Sequence, residues 1–241
     1  MNVVRANSRI RFTAEDVAFV LSVLAGEREE KALLELFFGD ESSRDLILDD
    51  PALYEALTNA NHCLPVSMPF YFYVLVRQVF LRAGIDDRSV ADYVASLLVE
   101  FSRSENIPLR VPPDQSPIEY VFEMLAASAR ADERTRYFIQ AHIGNHTLFL
   151  TGVFNDRIEH RARTRGFPGV GYYEGVGAGN FLAARDHRLA RRHELVEVYD
   201  RLAGEFVTAR RALNDLSDRL LHFGEPAWLS GFLGESSRLF N

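Results

Sequence analysis

One cysteine in 241 residues, Cys63, excludes an internal disulfide and points to a reducing compartment, the cytoplasm. Long apolar runs are missing too. The longest, Met68 to Val76, ends at Arg77 and Gln78, far short of the ~20 residues a membrane-spanning helix needs. The opening MNVVRANSRIRF has no apolar core of signal-peptide length, so no membrane partner is expected. Lysine is nearly absent: Lys31 is the one basic residue that is not arginine. Strand signals are scarce, and there is no internal repeat or low-complexity tract. Catalytic signatures are lacking as well. No serine nucleophile elbow, paired-cysteine zinc spacing or Glu-x-x-His pair occurs. The run His193-Glu194-Leu195-Val196-Glu197 has glutamate where a zincin's second histidine would stand.

What is present is a helix-forming, globular composition. Hydrophobic residues make up 47% and charged residues 25%, which excludes wholesale disorder. The net charge of −7 argues against a surface made throughout for nucleic acid. The charge is unevenly placed. Residues 1–60 hold twelve acids against six basic residues, whereas Asp156 to Arg192 holds eight arginines against four acids.

Start and stop signals predict a succession of helices. Thr13 can cap one whose first turn carries Glu15 and Asp16, and Glu29 to Phe38 reads as a second. Asp50-Pro51 opens a third, ending near Asn59. The next runs from Ser67-Met68-Pro69 to Gly84, and Val90 to Phe101 carries a strong amphipathic stripe. Residues 104–116 hold three prolines, Pro112-Pro113 among them, and form the natural loop or subdivision. Pro117 is expected to restart a helix reaching about Ala129. The chain reads as all-α, a single multi-helix bundle over residues 1–241.

The organising stretch is Thr135 to His187. Its first half is apolar on nearly every side, as Phe138, Ile139, Ile143, Leu148, Phe149, Leu150 and Val153 leave no polar face. A helix of that kind must be packed all round. After a polar segment from Asn155 to Arg165 and a break at Gly166 to Gly169, a further helix places Gly171, Gly175 and Gly179 on one face. Glycine costs about 1 kcal/mol per helical position relative to alanine, which predicts a helix-packing role for the three. From Leu195 to Leu220, apolar residues recur in alternating steps of four and three. That period of 3.5 predicts one long C-terminal helix, about Leu189 to His222. Its Leu195–Leu220 seam either forms the spine of the bundle or carries self-association into a dimer.

The run LFLTGVF, followed some twenty residues on by GYYEGVGAGNF, resembles a pattern in bacterial helical proteins of no assigned activity. That pattern is Leu-Phe-x-Ser/Thr-Gly-x-Phe, then Tyr-Tyr, then glycine and an aromatic residue, matched here over Leu148 to Phe181. The resemblance implies a helical fold and a bacterial origin, and it brings no catalytic residues.

Four constellations could carry chemistry. His142 and His146 lie one turn apart, a spacing that suits a shared metal, with Glu174 as first carboxylate candidate and Glu159, His160, His187 and His193 as others. The alternative is a pair of core histidines. Arg157, Arg161 and Arg165 would share one helical face, and Arg185, Arg188 and Arg192 repeat the spacing. Their guanidinium forks suit phosphate, nucleic acid or the acidic N-terminal region of the same chain. Gly175-Val176-Gly177-Ala178-Gly179 lacks both the preceding strand of a dinucleotide fingerprint and the Gly-Lys-Ser/Thr of a P-loop. His62-Cys63 is the one thiol candidate, and a lone cysteine before an apolar helix reads as core filler. The expected function is therefore a non-enzymatic interaction or scaffold protein without a cofactor. The alternatives are a metal-dependent helical-bundle oxidoreductase and a binder of a phosphate-rich ligand.

Overall fold

A computed structural model describes residues 3–25, 32, 36, 39–60 and 64–222. The helix expected over Glu29 to Phe38, and His62 and Cys63, lie largely or wholly outside the described residues. Twelve α-helices account for most of the rest, so the protein is an all-α multi-helix bundle. They are α1 (Ala14–Leu24), α2 (Glu41–Leu48), α3 (Pro51–Thr58), α4 (Met68–Arg82), α5 (Arg88–Phe101), α6 (Val121–Arg130) and α7 (Glu133–Val153). After these come α8 (Asn155–Arg165), α9 (Val170–Arg185), α10 (Arg188–Arg192), α11 (Val196–Gly204) and α12 (Phe206–His222).

Aspartate caps place many of these helices, which accounts for part of the acid excess. Thr13 and Asp16 form a capping box on α1, and the side chains of Asp40, Asp50, Asp87 and Asp132 each accept from a first-turn amide of the helix that follows. Asp16 does more. It is buried and also accepts from the Ser67 amide at 2.6 Å and the Ser67 hydroxyl at 2.7 Å, tying the start of α1 to the N-cap of α4.

The core forms around α4, α5 and α7. Nearly every side chain of α4 from Pro69 to Phe80 is buried, and α7 is buried continuously from Ile143 to Gly152. α7 lies against α6, α9 and α12, while α4 packs on α5 and α12. Residues 104–116 do not divide the molecule. Tyr93 of α5 donates to Asn145 of α7 at 2.8 Å, and Phe101 packs edge-on against Phe149 across the same interface.

Two expected elements differ. Pro117-Ile118 is not the start of a helix: it is an extended pair, Leu109–Arg110 with Pro117–Ile118, in a two-residue antiparallel ladder, and α6 begins at Val121. Pro117 lacks an N–H and sits where the ladder tolerates that. The long C-terminal helix is present as α12, but the stretch from Leu189 is broken twice. Glu194 adopts φ 57° between α10 and α11, and Glu205 interrupts the path between α11 and α12. The heptad residues Leu195, Tyr199, Leu202, Phe206, Leu213, Leu216 and Leu220 are all buried within this one chain. The 3.5-residue period reflects burial on successive short helices, and the seam is not a free face for a second copy.

Candidate functional site

The two faces of α9 are different surfaces. Val170, Gly177, Phe181 and Ala184 share the buried face, against α7 and α11. Gly177 is the packing residue here: a Cβ at that position would enter the Phe206 ring and the Thr147 hydroxyl. Gly144 and Gly152 of α7 do the same work from the other side, where a Cβ would come to 2.7 Å from Phe181 and 2.8 Å from Leu213. Gly171, Gly175 and Gly179 have no such role. Among the described residues a Cβ on any of them would meet nothing within 4 Å, and all three are exposed. The reason is helical phase: at 100° per residue they lie opposite Gly177.

That outward face is nearly uncharged. Gly171, Tyr172, Gly175, Gly179, Leu182 and Ala183 are exposed on it, with Asp186 at its end. Tyr172 is 41% and Leu182 39% exposed. Phe167, just before α9, is also exposed, as are Tyr120 and Phe122 beside α6, whose Val121 and Met124 share a core cluster with Tyr173 and Val176 of α9.

The histidine pair turns its convergent nitrogens to the backbone. His142 Nε2 and His146 Nδ1 point at the same atom, the carbonyl oxygen of buried Ile107, at 3.1 and 3.2 Å. A carbonyl only accepts, so both convergent nitrogens carry protons and cannot be metal ligands. Burial holds the His142 pKa down to about 4 and that of His146 down to about 3, the neighbouring ring adding to the latter. The pair is therefore a neutral clasp that fastens the loop after α5 to α7. Glu174 is elsewhere, in a 2.8 Å ion pair with Arg210 of α12. Among the described residues no three potential ligands come together.

The arginines do not form one zone. Arg157 and Arg161 lie over the rings of Phe154 and Phe167, and Arg165 ends α8. Arg185 pairs with Asp186 and Asp200, and Arg188 reaches Glu133 at 3.9 Å. Arg192 ends α10. The first group lies on α8, and the second on the last residue of α9 and on α10. The acidic N-terminal region takes other partners. Arg77, 1% exposed, holds Asp49 through two bonds of 2.7 and 2.9 Å, and Arg88 and Arg9 bind Asp49 and Asp45 beside it.

No family model, curated protein or solved structure matches the chain. The site thus rests on geometry alone. Sequence reading missed a buried tyrosine group as well. Tyr93, Tyr137 and Tyr199 are fully buried, Tyr93 edge-on to Tyr199, with Tyr137 stacked on His187. Burial raises the pKa of each, which keeps all three hydroxyls neutral. They lie on three different helices, so no sequence spacing could have announced them.

Proposed function

We propose that the protein is a non-enzymatic, cytoplasmic interaction protein, and that two copies meet through the exposed face of α9. One observation carries this reading. Three glycines, Gly171 in the first turn and Gly175 and Gly179 in the interior of a sixteen-residue helix, cost up to about 1 kcal/mol each relative to alanine, and among the described residues nothing uses the space they leave. Close approach by another helix uses it. A second copy suits the face because the pattern is self-complementary. With a two-fold axis midway between Gly175 and Gly179, Gly175 of one copy lies against Gly179 of the other, Gly171 meets Ala183, and Tyr172 meets Leu182. That is the reciprocity an isologous contact requires.

A helix face about 24 Å long covers less than the ~800 Å² per partner of a standard interface, so the contact extends onto Phe167, Tyr120 and Phe122. Sedimentation equilibrium tests it. The wild type should dimerise reversibly, and Gly175→Arg should be a monomer with unchanged circular dichroism that melts no lower than the wild-type monomer. A wild type that stays monomeric up to about 1 mM, a concentration at which even weak specific contacts register, refutes the reading.

A further inference from the structure

A cleft of about 310 Å³ lies between the end of α4 and the stretch of α12 from Thr208 to Arg219, and none of its lining residues is on α9. Its polar lining is Arg82, Arg211, Arg219, Thr208 and Asp215. The floor is apolar, from Val79 and Ala212. We propose that this cleft binds a small phosphorylated molecule, with Arg82, Arg211 and Arg219 holding the phosphate and the floor taking an apolar or planar part.

The state of the three arginines is the first argument. Six other arginines, Arg9, Arg77, Arg88, Arg185, Arg201 and Arg210, each hold a carboxylate. Among the described residues Arg82, Arg211 and Arg219 hold none. Asp215 stands four residues from both Arg211 and Arg219, the spacing at which helical pairs form, and yet no ion pair joins it to either. Three guanidinium groups against one carboxylate leave the cleft with two positive charges, in a chain whose net charge is −7.

Geometry supplies the second argument. The Arg82 guanidinium lies over the Tyr54 ring, 4.3 Å from its centroid, which fixes its plane while leaving its N–H edge free. A planar fork held in this way suits the oxygens of a phosphate, and three forks suit a dianion better than a single carboxylate. Thr208 adds a hydroxyl from the first turn of α12, at the positive end of the helix dipole. The last carbonyls of α4 oppose it, and these two half-charges roughly cancel. The guanidinium groups decide the sign. Size selects the ligand class: about 310 Å³ is at the small end of ligand pockets, and Arg211 and Arg219 of α12 span only about 12 Å along the helix, too short a track for a nucleic-acid strand.

Calorimetry of the whole protein at low salt, with inorganic pyrophosphate and adenosine monophosphate as probes and sulfate as the control, tests the proposal. Pyrophosphate should bind once per chain. Arg82→Gln, Arg211→Gln and Arg219→Gln should each weaken it about tenfold, the effect of one lost charge-assisted hydrogen bond, without changing the melting temperature of the free protein. Asp215→Asn should tighten it several-fold by removing the one repelling carboxylate, a gain that a purely structural role would not give. No binding of either probe at about 10 mM overturns the proposal, as does binding indifferent to all three arginine variants or equalled by sulfate, the mark of an adventitious ion only. An RNA oligonucleotide that binds where both probes fail would also overturn it, in favour of a nucleic-acid surface.

Discussion

Alanine at Gly177 and at Gly175, introduced one at a time, separates the two faces of α9. Each change adds one methyl group to the middle of the same helix and gains about 1 kcal/mol of helix propensity. At Gly175 nothing lies within 4 Å of the new atom, so the gain stands. At Gly177 the methyl is driven into Phe206 and Thr147. Neither can swing aside. Phe206 is 2% exposed, and the Thr147 hydroxyl is fixed to the carbonyls of Ile143 and Gly144 at 2.7 and 3.0 Å. Overpacking of this kind costs about 1–3 kcal/mol. The upper end applies, because relief requires α9 to move off both α7 and α12, and about 2 kcal/mol of loss remains after the propensity gain. In a chain of this size 1 kcal/mol moves Tm by about 2–4 °C. Gly177→Ala should therefore melt about 4–8 °C below the wild type, and Gly175→Ala about 2–4 °C above it. Thermal unfolding followed by circular dichroism reads both. If Gly175→Ala is the variant that loses stability, the assignment of the two faces is reversed.

Acid should weaken the fold through His146, whose folded-state pKa of about 3 lies below the unfolded ~6.5. Its contribution is fully present above pH 6.5 and falls as pH drops through the window down to about 3, because the unfolded state takes up the proton first. Between pH 6.5 and 5 the loss is about 2 kcal/mol at 1.36 kcal/mol per unit. Urea unfolding at a series of pH values measures it, and a midpoint that stays flat to pH 5 would count against the clasp. Arg77→Met should cost about 1.5–3 kcal/mol by removing the charge-assisted bonds to Asp49, which keeps Arg88 as its partner. Urea unfolding measures it, and Arg77→Met combined with Arg88→Met should lose more than the sum of the two single changes, because only then is Asp49 left without a cation; additive losses would show that the two arginines do not share it.

Local signals in the sequence located most helices because they depend on neighbours along the chain. Thr13, Asp50-Pro51 and Ser67 cap where their side chains reach the next amides. The break at Gly166 was legible for the same reason, since φ 68° there favours glycine. The site was less legible because its chemistry depends on which helix faces which. Glycine spacing alone suggested packing at Gly171, Gly175 and Gly179. The period of Val170, Phe181 and Ala184 was also in the sequence, and it places Gly177 on their face. The histidine spacing was real, but its partner, the Ile107 carbonyl, is a backbone atom 35 residues away from His142. Nothing in the side-chain pattern encodes it. Arg77 looked like the end of an apolar run, and only the fold brings Asp49 and Asp86 to it.

The pairing of α4 with α12 bears on how the chain is made. Val79 and Ala212 line the same cleft but leave the ribosome about 130 residues apart, roughly 7–25 s at ordinary synthesis rates. Throughout that interval α4, whose Phe70 to Phe80 stretch is buried in the finished protein, lacks one of the helices that cover it. Short-range pairing with α5 comes first and hides only one side. The nascent chain therefore carries a sticky apolar helix throughout that interval, until α12, the last of the described helices, emerges to cover it.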